Sequence, residues 1–461
     1  MLNSIERLIS SIRSSQMLRL FSVGLLALLL QIPIAMIGGL VSERQARRQA
    51  AVTEVSSKWG NVQFIIGPAL VVPYAYRWTE ISAGGQQITR TETRNAIFLP
   101  QQLRVRGSVN SELRYRGIYS VPVYKLDLTL EGEFTRPSFS EVGIEPTAVA
   151  WERAQLAIGI SDARVIQQET AVTWNGQPVP FLPGTGAFTD GGTGIHAVVG
   201  LVDGVQRAQF SFPLSLNGSL GVYLAPFAQN TTVELQSNYG HPSFQGNWLP
   251  VERSVSEAAF KAKWSIPFLG RNYPQAWKAE VGMRKEIDGS RFGVELVNPV
   301  DHYRMAERSV KYAGLFILLT FATLCLIEVL AGVRVHPIQY LMLGGALCLF
   351  YLLELSLSEH LGFPLAYTVA SIAVIGMVAG YSVVVLHHIR RALFVVAAVS
   401  LLYAYLYILL INEDYALLIG SVGLFLILAS IMYATRRVDW YGVGARSPAP
   451  NDPVISHEPS R

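Results

Sequence analysis

The pattern of apolar and polar positions divides this chain into three parts. The last third, Tyr312 to Ala434, is almost continuously apolar with brief polar breaks, and it predicts five helices at about 312–333, 338–357, 364–386, 392–411 and 416–434. Each approaches the ~20 residues that cross ~30 Å of hydrocarbon. Lipid gives a backbone no hydrogen-bond partner, so segments this uniformly apolar must span as helices. A sixth apolar run, Met17 to Val41, lies near the N-terminus, and Pro33 predicts a kink in it. It is longer than the apolar core of a signal peptide and closes on Ser42-Glu43-Arg44-Gln45 rather than on a small-residue cleavage site, so it reads as an uncleaved anchor.

Between these runs the period changes to two. Leu126, Leu128 and Leu130 alternate with Lys125, Asp127, Thr129 and Glu131; Ala208, Phe210, Phe212, Leu214 and Leu216 alternate with polar residues; Phe260, Ala262 and Trp264 alternate with Lys261 and Lys263. Such alternation predicts half-buried antiparallel strands. Turn signals at Gly84-Gly85, Asn175-Gly176, Asp190-Gly191-Gly192, Asn217-Gly218 and Asp288-Gly289 punctuate them, with Asn175-Gly176 and Asn217-Gly218 read as hairpins. Glu43–Gly60 suits a helix continuing out of the first span and stopping at Gly60, and a short helix is expected near Val251–Ala259. The fold class is therefore an α+β membrane protein: six transmembrane helices, one N-terminal and five C-terminal, with a large all-β, sandwich-like periplasmic domain between helices one and two.

Charge sets the expected orientation. Arg7 and Arg13 precede the first span and Arg19 stands in its first turn, Arg334, Arg390 and Arg391 fall in short loops, and Arg436 and Arg437 follow the last span. The opposite loops, Ser358–Phe363 and Asn412–Tyr415, carry Glu359, Glu413 and Asp414 without Lys or Arg. This positive-inside asymmetry puts both termini in the cytoplasm; Arg44, Arg47 and Arg48 violate it, which long translocated domains tolerate. The expected boundaries are a cytoplasmic 1–16, a span at 17–41, a periplasmic β-rich 42–311, a five-helix bundle at 312–434 and a cytoplasmic tail at 435–461. Residues 42–311 hold 27 Lys and Arg against 24 Asp and Glu, so the formal +4 reflects segments beside the membrane and not a nucleic-acid partner. The only two cysteines, Cys325 and Cys348, fall in predicted spans, leaving the exported region without a disulfide or thiolate metal site. The tail after Trp440, rich in Pro, Ser and Gly, is expected to be disordered.

No chemistry announces itself. Gly186-x4-Gly191-Gly192-Thr193 places Gly192 where a phosphate loop needs lysine. His196, His241 and His302 lack metal-like spacing, and no Gly-x-Ser-x-Gly elbow nominates a nucleophile to join Asp162, Asp190 and His196. No cofactor is expected. Arg104, Arg106, Arg114 and Arg116 would share one face of a hairpin if Gly107–Ser111 turns, a candidate contact for anionic lipid or polymer; a solvated face paired with acids is the simpler account. Glu328 and Glu354 fall inside spans, where an ionised group costs ~2.5 kcal/mol or more at the centre. A proton or ion relay competes there with interhelical hydrogen bonding and snorkelling, and their position near helix ends favours the latter.

A series of local signatures occurs in order: Trp59-Gly60-x-x-Gln63 with Gly67-Pro68, Ser161-Asp162-Ala163-Arg164, Pro183-Gly184-Thr185-Gly186, His241-Pro242-Ser243-Phe244-x-Gly246 with Leu249-Pro250, and Asp301-x-Tyr303 with Lys311-Tyr312-Ala313. Glu328, His336-Pro337-x-Gln339-Tyr340-Leu341, Phe350-Tyr351-Leu352-Leu353, Ser358-Glu359-His360-x-Gly362-Phe363 and Val438-Asp439-Trp440-Tyr441 follow. The series closely resembles the CreD family of bacterial inner-membrane proteins, the cell envelope integrity proteins, over almost the whole chain. The resemblance implies a Gram-negative inner-membrane protein with a periplasmic domain, linked to a two-component response and to envelope integrity, and it brings no catalytic residues. Glu328, His336 and the Ser358, Glu359, His360 trio match family-like positions and are the candidate functional groups; Glu354 stands where an apolar residue is expected. The function expected is thus non-enzymatic envelope maintenance or envelope stress response, with the lipid bilayer and a periplasmic envelope component or membrane protein as partners. Transport or lipid handling is the alternative, and a membrane-tethered periplasmic hydrolase is the weakest reading.

Overall fold

The apolar runs fold as helices and the alternating stretches as strands in a computed structural model that describes residues 16–81, 87–188, 192–201, 206–297, 301–331 and 335–436. Among the described residues six helical segments are long and apolar enough to cross a membrane, one near the N-terminus and five after the strands. The chain divides into two compact units, Met1–Ala46 with Val300–Arg461, and Arg47–Pro299.

In the helical unit the first apolar run is two helices, α1 (Gln16–Leu29) and α2 (Gln31–Trp59), separated at Leu30. The break follows from Pro33, which has no N–H to offer the Leu29 carbonyl, while Leu30 N–H still reaches Leu26 O at 3.0 Å. A six-residue helix, α3 (Arg284–Gly289), belongs to the β unit; Asp288-Gly289, expected as a strand turn, ends it instead. The remaining helices are α4 (His302–Ala331), α5 (Pro337–Leu361), α6 (Phe363–Leu386), α7 (Ile389–Ile411) and α8 (Ala416–Thr435).

Helix α4 starts ten residues before the expected Tyr312. Asp301 makes this start possible: its Oδ1 accepts from the backbone N–H of Tyr303 at 3.2 Å and of Arg304 at 3.4 Å. Helix α5 runs through Ser358–Leu361, which were expected to lie in a loop, so Gly362 (φ 75°) alone separates it from α6. Arg390 and Arg391 likewise sit in the first turn of α7 and not in a loop. At Gly344 a Cβ would strike Leu30 and Phe321, so the glycine lets α5 approach the N-terminal segment closely. Tyr340, Phe321, Phe350, Tyr367 and Val399 fill the interior of the unit.

In the β unit the strands, in order, are β1 Gln63–Ile81, β2 Gln87–Phe98, β3 Gln102–Arg116, β4 Tyr119–Thr135, β5 Ala148–Val149, β6 Gln155–Ile160, β7 Ala171–Trp174, β8 Gln177–Pro180 and β9 Leu182–Pro183. They continue as β10 Gly194–Val198, β11 Arg207–Ser219, β12 Gly221–Leu224, β13 Asn230–Ser237, β14 Pro242–Gly246, β15 Glu252–Val255, β16 Phe260–Pro267, β17 Ala276–Lys278 and β18 Phe292–Leu296. One sheet has the order β14-β18-β12-β1-β6-β10-β9, with β2, β5 and β17 joined at its side; the second has the order β15-β16-β13-β3-β4-β11-β7-β8. Both sheets feed one apolar core, to which Ile65, Val71 and Val294 of the first and Leu126, Leu214 and Trp264 of the second contribute.

The three alternating stretches lie in β4, β11 and β16, as their period requires. Asn175-Gly176 turns the β7–β8 hairpin with φ of 49° and 84°, the pair of positive values that a two-residue turn of this hand demands. Three expectations fail. Asn217-Gly218 is not a hairpin: both residues stay in β11, opposite Lys125 and Tyr124 of β4. Gly218 is there because a Cβ would collide with the Tyr124 ring. Gly107–Ser111 is not a turn either; β3 runs straight through it, and Gly107 makes room for Leu128 and Leu235. Val251–Ala259 holds the exposed strand β15 instead of a helix, paired with β16. The turn signals Gly84-Gly85 and Asp190-Gly191, the residues Arg7, Arg13, Arg334 and Arg437, and the tail from 437 lie outside the described residues.

Candidate functional site

Among the described residues, the two most buried glutamates of the helical unit lie in the last turns of α5. Glu359 keeps only 8% of its side chain exposed, accepts a hydrogen bond from Tyr303 Oη at 2.9 Å and lies 3.6 Å from the Arg44 guanidinium of α2. Five residues earlier, Glu354 is 1% exposed, and its Oε2 accepts from Ser309 Oγ of α4 at 2.7 Å. The early start of α4 makes both contacts possible, because Tyr303 and Ser309 belong to its first three turns. Arg308, next to Ser309, donates to the Leu410 and Leu409 carbonyls at 3.1 and 3.0 Å and lies 3.8 Å from Glu413. It thus supplies a donor and positive charge to carbonyls that the end of α7 leaves without an intrahelical partner.

The other candidates of this region do not join that cluster. Ser358 is buried and donates to Leu355 O at 2.8 Å, a bond back into its own helix. His360 is exposed. His336 caps α5: its Nδ1 accepts from Ile338 N–H at 3.3 Å, and Gln339 Oε1 accepts from its backbone N–H at 2.9 Å. A helix cap explains the His336-Pro337-x-Gln339 spacing without further chemistry. Glu328, half-buried in α4, accepts from Tyr340 Oη at 3.2 Å, an interhelical bond of the kind the sequence favoured. Glu328 and His336 are therefore tied to the start of α5, and Glu359 to its end.

In the β unit Arg104, Arg106, Arg114 and Arg116 lie at even positions of the single strand β3, so they share a face without any hairpin. Acids meet them. Arg106 lies 2.7 Å from Glu131, Arg114 lies 2.7 Å from Glu112 and covers the Trp59 ring at 4.1 Å, and Arg116 lies 3.0 Å from Glu54. Arg104 stands across from Glu131 in the β3–β4 register. On the same solvent face, Gln102, Arg104, Glu131, Glu133, Gln209 and Thr232 line a concavity of about 520 Å3.

Asp162 and His196 serve local structure. Asp162 holds the guanidinium of Arg164 at 2.8 Å, and this cation keeps its carboxyl below the usual range. His196 Nδ1 lies 2.8 Å from Gly184 O. Among the described residues no group of three or more His, Cys, Asp and Glu is placed to hold a metal ion.

A family model described as "Inner membrane protein CreD" matches residues 15–441, taking in every helix and both sheets. The chain belongs to the CreD family. A relative, the inner membrane protein CreD of Escherichia coli (strain K12), is 34% identical over 417 residues, covering 90% of this chain and 91% of that protein. Membership of this inner-membrane family, with six apolar helices, makes the chain a multi-pass inner-membrane protein embedded in the lipid bilayer. Sequence reasoning placed Glu328, His336 and Glu359 ahead of Glu354; it met Arg44 only as a charge beside the first span and Tyr303 only within a signature, and it offered neither of these, nor Ser309 or Arg308, as a site residue. The Asp301 cap signal, which begins α4 ten residues early, would have found Tyr303 and Ser309.

Proposed function

We propose that this CreD-family protein acts without catalysis in maintaining the envelope or in its stress response, and that its β unit is the interaction surface. The orientation that goes with this reading has both termini in the cytoplasm and residues 42–311 in the periplasm of a Gram-negative cell, with the positive-inside charge pattern in support. The observation that carries it is the polar concavity on the eight-stranded sheet. Gln102, Gln209 and Thr232 offer donors and acceptors beside Arg104, with Leu103 and Phe210 at its floor, a lining that suits a polar envelope component.

Complementation tests the reading. Wild-type protein should restore detergent resistance to a strain lacking it, and Arg104→Glu combined with Gln209→Ala should not, at equal membrane abundance. Full restoration by the double variant removes the β face from the function. A reporter inserted after Gly191 should report the periplasm; a cytosolic signal there overturns the orientation. Transport or lipid handling remains the second reading because the helical unit buries Glu354 and Glu359, groups that anchoring alone does not call for.

A further inference from the structure

Glu354 differs from every other described carboxylate in what surrounds it. Its side chain is 1% exposed, and Ser309 Oγ is its hydrogen-bond donor at 2.7 Å on Oε2. Oε1 is equally removed from solvent and has no hydrogen-bond partner. The groups facing it from the packed helices are Ser309 of α4, Tyr351 of its own helix, Tyr367 of α6 and Tyr403 of α7. The Tyr367 hydroxyl is already committed to the Tyr403 carbonyl at 2.7 Å. Arg308, beside Ser309 in sequence, is held by the Leu409 and Leu410 carbonyls, and Arg44 is held at Glu359.

The magnitudes decide the charge state. One hydrogen bond inside a helix bundle returns much less than an ionised carboxylate buried without a counter-ion costs. The neutral acid wins. Glu359, five residues on, has what Glu354 lacks: a guanidinium at 3.6 Å and a phenol donor at 2.9 Å.

We propose that Glu354 is a proton-binding site inside the bundle. It carries its proton while Ser309 covers it. Loss of the proton breaks the carboxyl O–H bond and passes the proton to a water entering beside Oε1; Ser309 keeps donating to the carboxylate that remains. Proton occupancy is thereby tied to the α4–α5 contact that keeps this water out.

Infrared spectroscopy of the full-length protein in lipid nanodiscs tests this directly. At neutral pH the wild type should show a protonated-carboxyl C=O band that is lost in Glu354→Gln, kept in Glu359→Gln and Glu328→Gln, and moved to higher frequency in Ser309→Ala as the hydrogen bond goes. A wild type without the band overturns the proposal, and so does a band that survives Glu354→Gln or disappears in Glu359→Gln. If Glu354→Gln does not fold, Ser309→Ala decides alone, and an unmoved band counts against the site. None of these readouts depends on the β unit, so failure of the envelope reading leaves them unaffected.

Discussion

The two units place the same side chains on opposite sides of their surfaces. In the β unit Trp264, Phe134, Phe212, Phe227 and Phe292 are sealed inside, while Glu80, Glu112 and Glu131 pair with arginines outside. In the helical unit Leu417 (86% exposed) and Phe425 (70%) face outward, while Glu354 and Glu359 lie within. The solvent accounts for the inversion. Water rewards burial of apolar area, so the β unit hides it; lipid is as apolar as leucine, so helices associate through close packing and hydrogen bonds. An exposed leucine is thus unremarkable on α8 and informative on a strand, and a glutamate carries the reverse meaning.

Core truncation should separate the two regimes most sharply. Trp264 is fully buried, meets Phe244 edge to face and Phe292 at a tilt, and donates from Nε1 to Trp248 O at 3.1 Å. Trp264→Ala should destabilise the β unit by about 3–5 kcal/mol, read as earlier thermal unfolding or faster proteolysis of the intact protein. Phe425→Ala, a similar loss of volume on the outward face of α8, should leave unfolding nearly unchanged. Comparable effects from both would break the contrast. Gly344→Leu comes next. It drives a side chain into Leu30 and Phe321, and overpacking of this kind costs about 1–3 kcal/mol. The expected readout is a lower melting temperature in detergent with the β unit's own transition unmoved.

These variants also mark where the sequence was legible. The six spans were readable because lipid leaves a long apolar helix no alternative, and β4, β11 and β16 were readable because one wet face imposes strict alternation. Glycine misled twice. Gly107 and Gly218 look like turn residues, but they sit in strands to make room for Leu128 and for the Tyr124 ring, and a sequence cannot tell a glycine chosen for space from one chosen for φ. β15 went unread because all four of its residues are exposed, so no alternation was written into it. The candidate site was half legible. Glu354 and Glu359 stood out as acids near apolar runs, but their partners come from the first turns of α4, beyond the apolar run that marked the helix. Placing the helix start at Tyr312 removed Ser309 and Tyr303 from consideration.

The smallest effects test the rim of the β unit. Asp162 is a buried acid there with its own cation, and Arg164 holds its carboxyl below the usual range. A lowered folded value means the stabilisation is complete above the ordinary aspartate pKa of about 3.9 and is lost as pH falls through the folded value. Asp162→Ala should therefore cost about 1 kcal/mol at neutral pH, that of a lost cap. The gap to wild type should close in acid; a gap that widens there would reverse the assignment.

Arg106 should matter least. Its contact with Glu131 is 2.7 Å long, but the two side chains are 53% and 37% exposed, where salt and side-chain entropy cancel most of the attraction. Arg106→Ala should shift the β unit's unfolding by no more than about 0.5 kcal/mol and leave association with anionic vesicles unchanged. Both results together fit a solvated strand face, with Arg104, Arg114 and Arg116 behaving alike. A marked loss of vesicle association with stability intact would instead make the strip a contact for anionic surfaces. A large loss of stability would mean that this face is covered in the folded protein, and the distinction drawn between a wet β rim and a polar bundle interior would then fail at its edge.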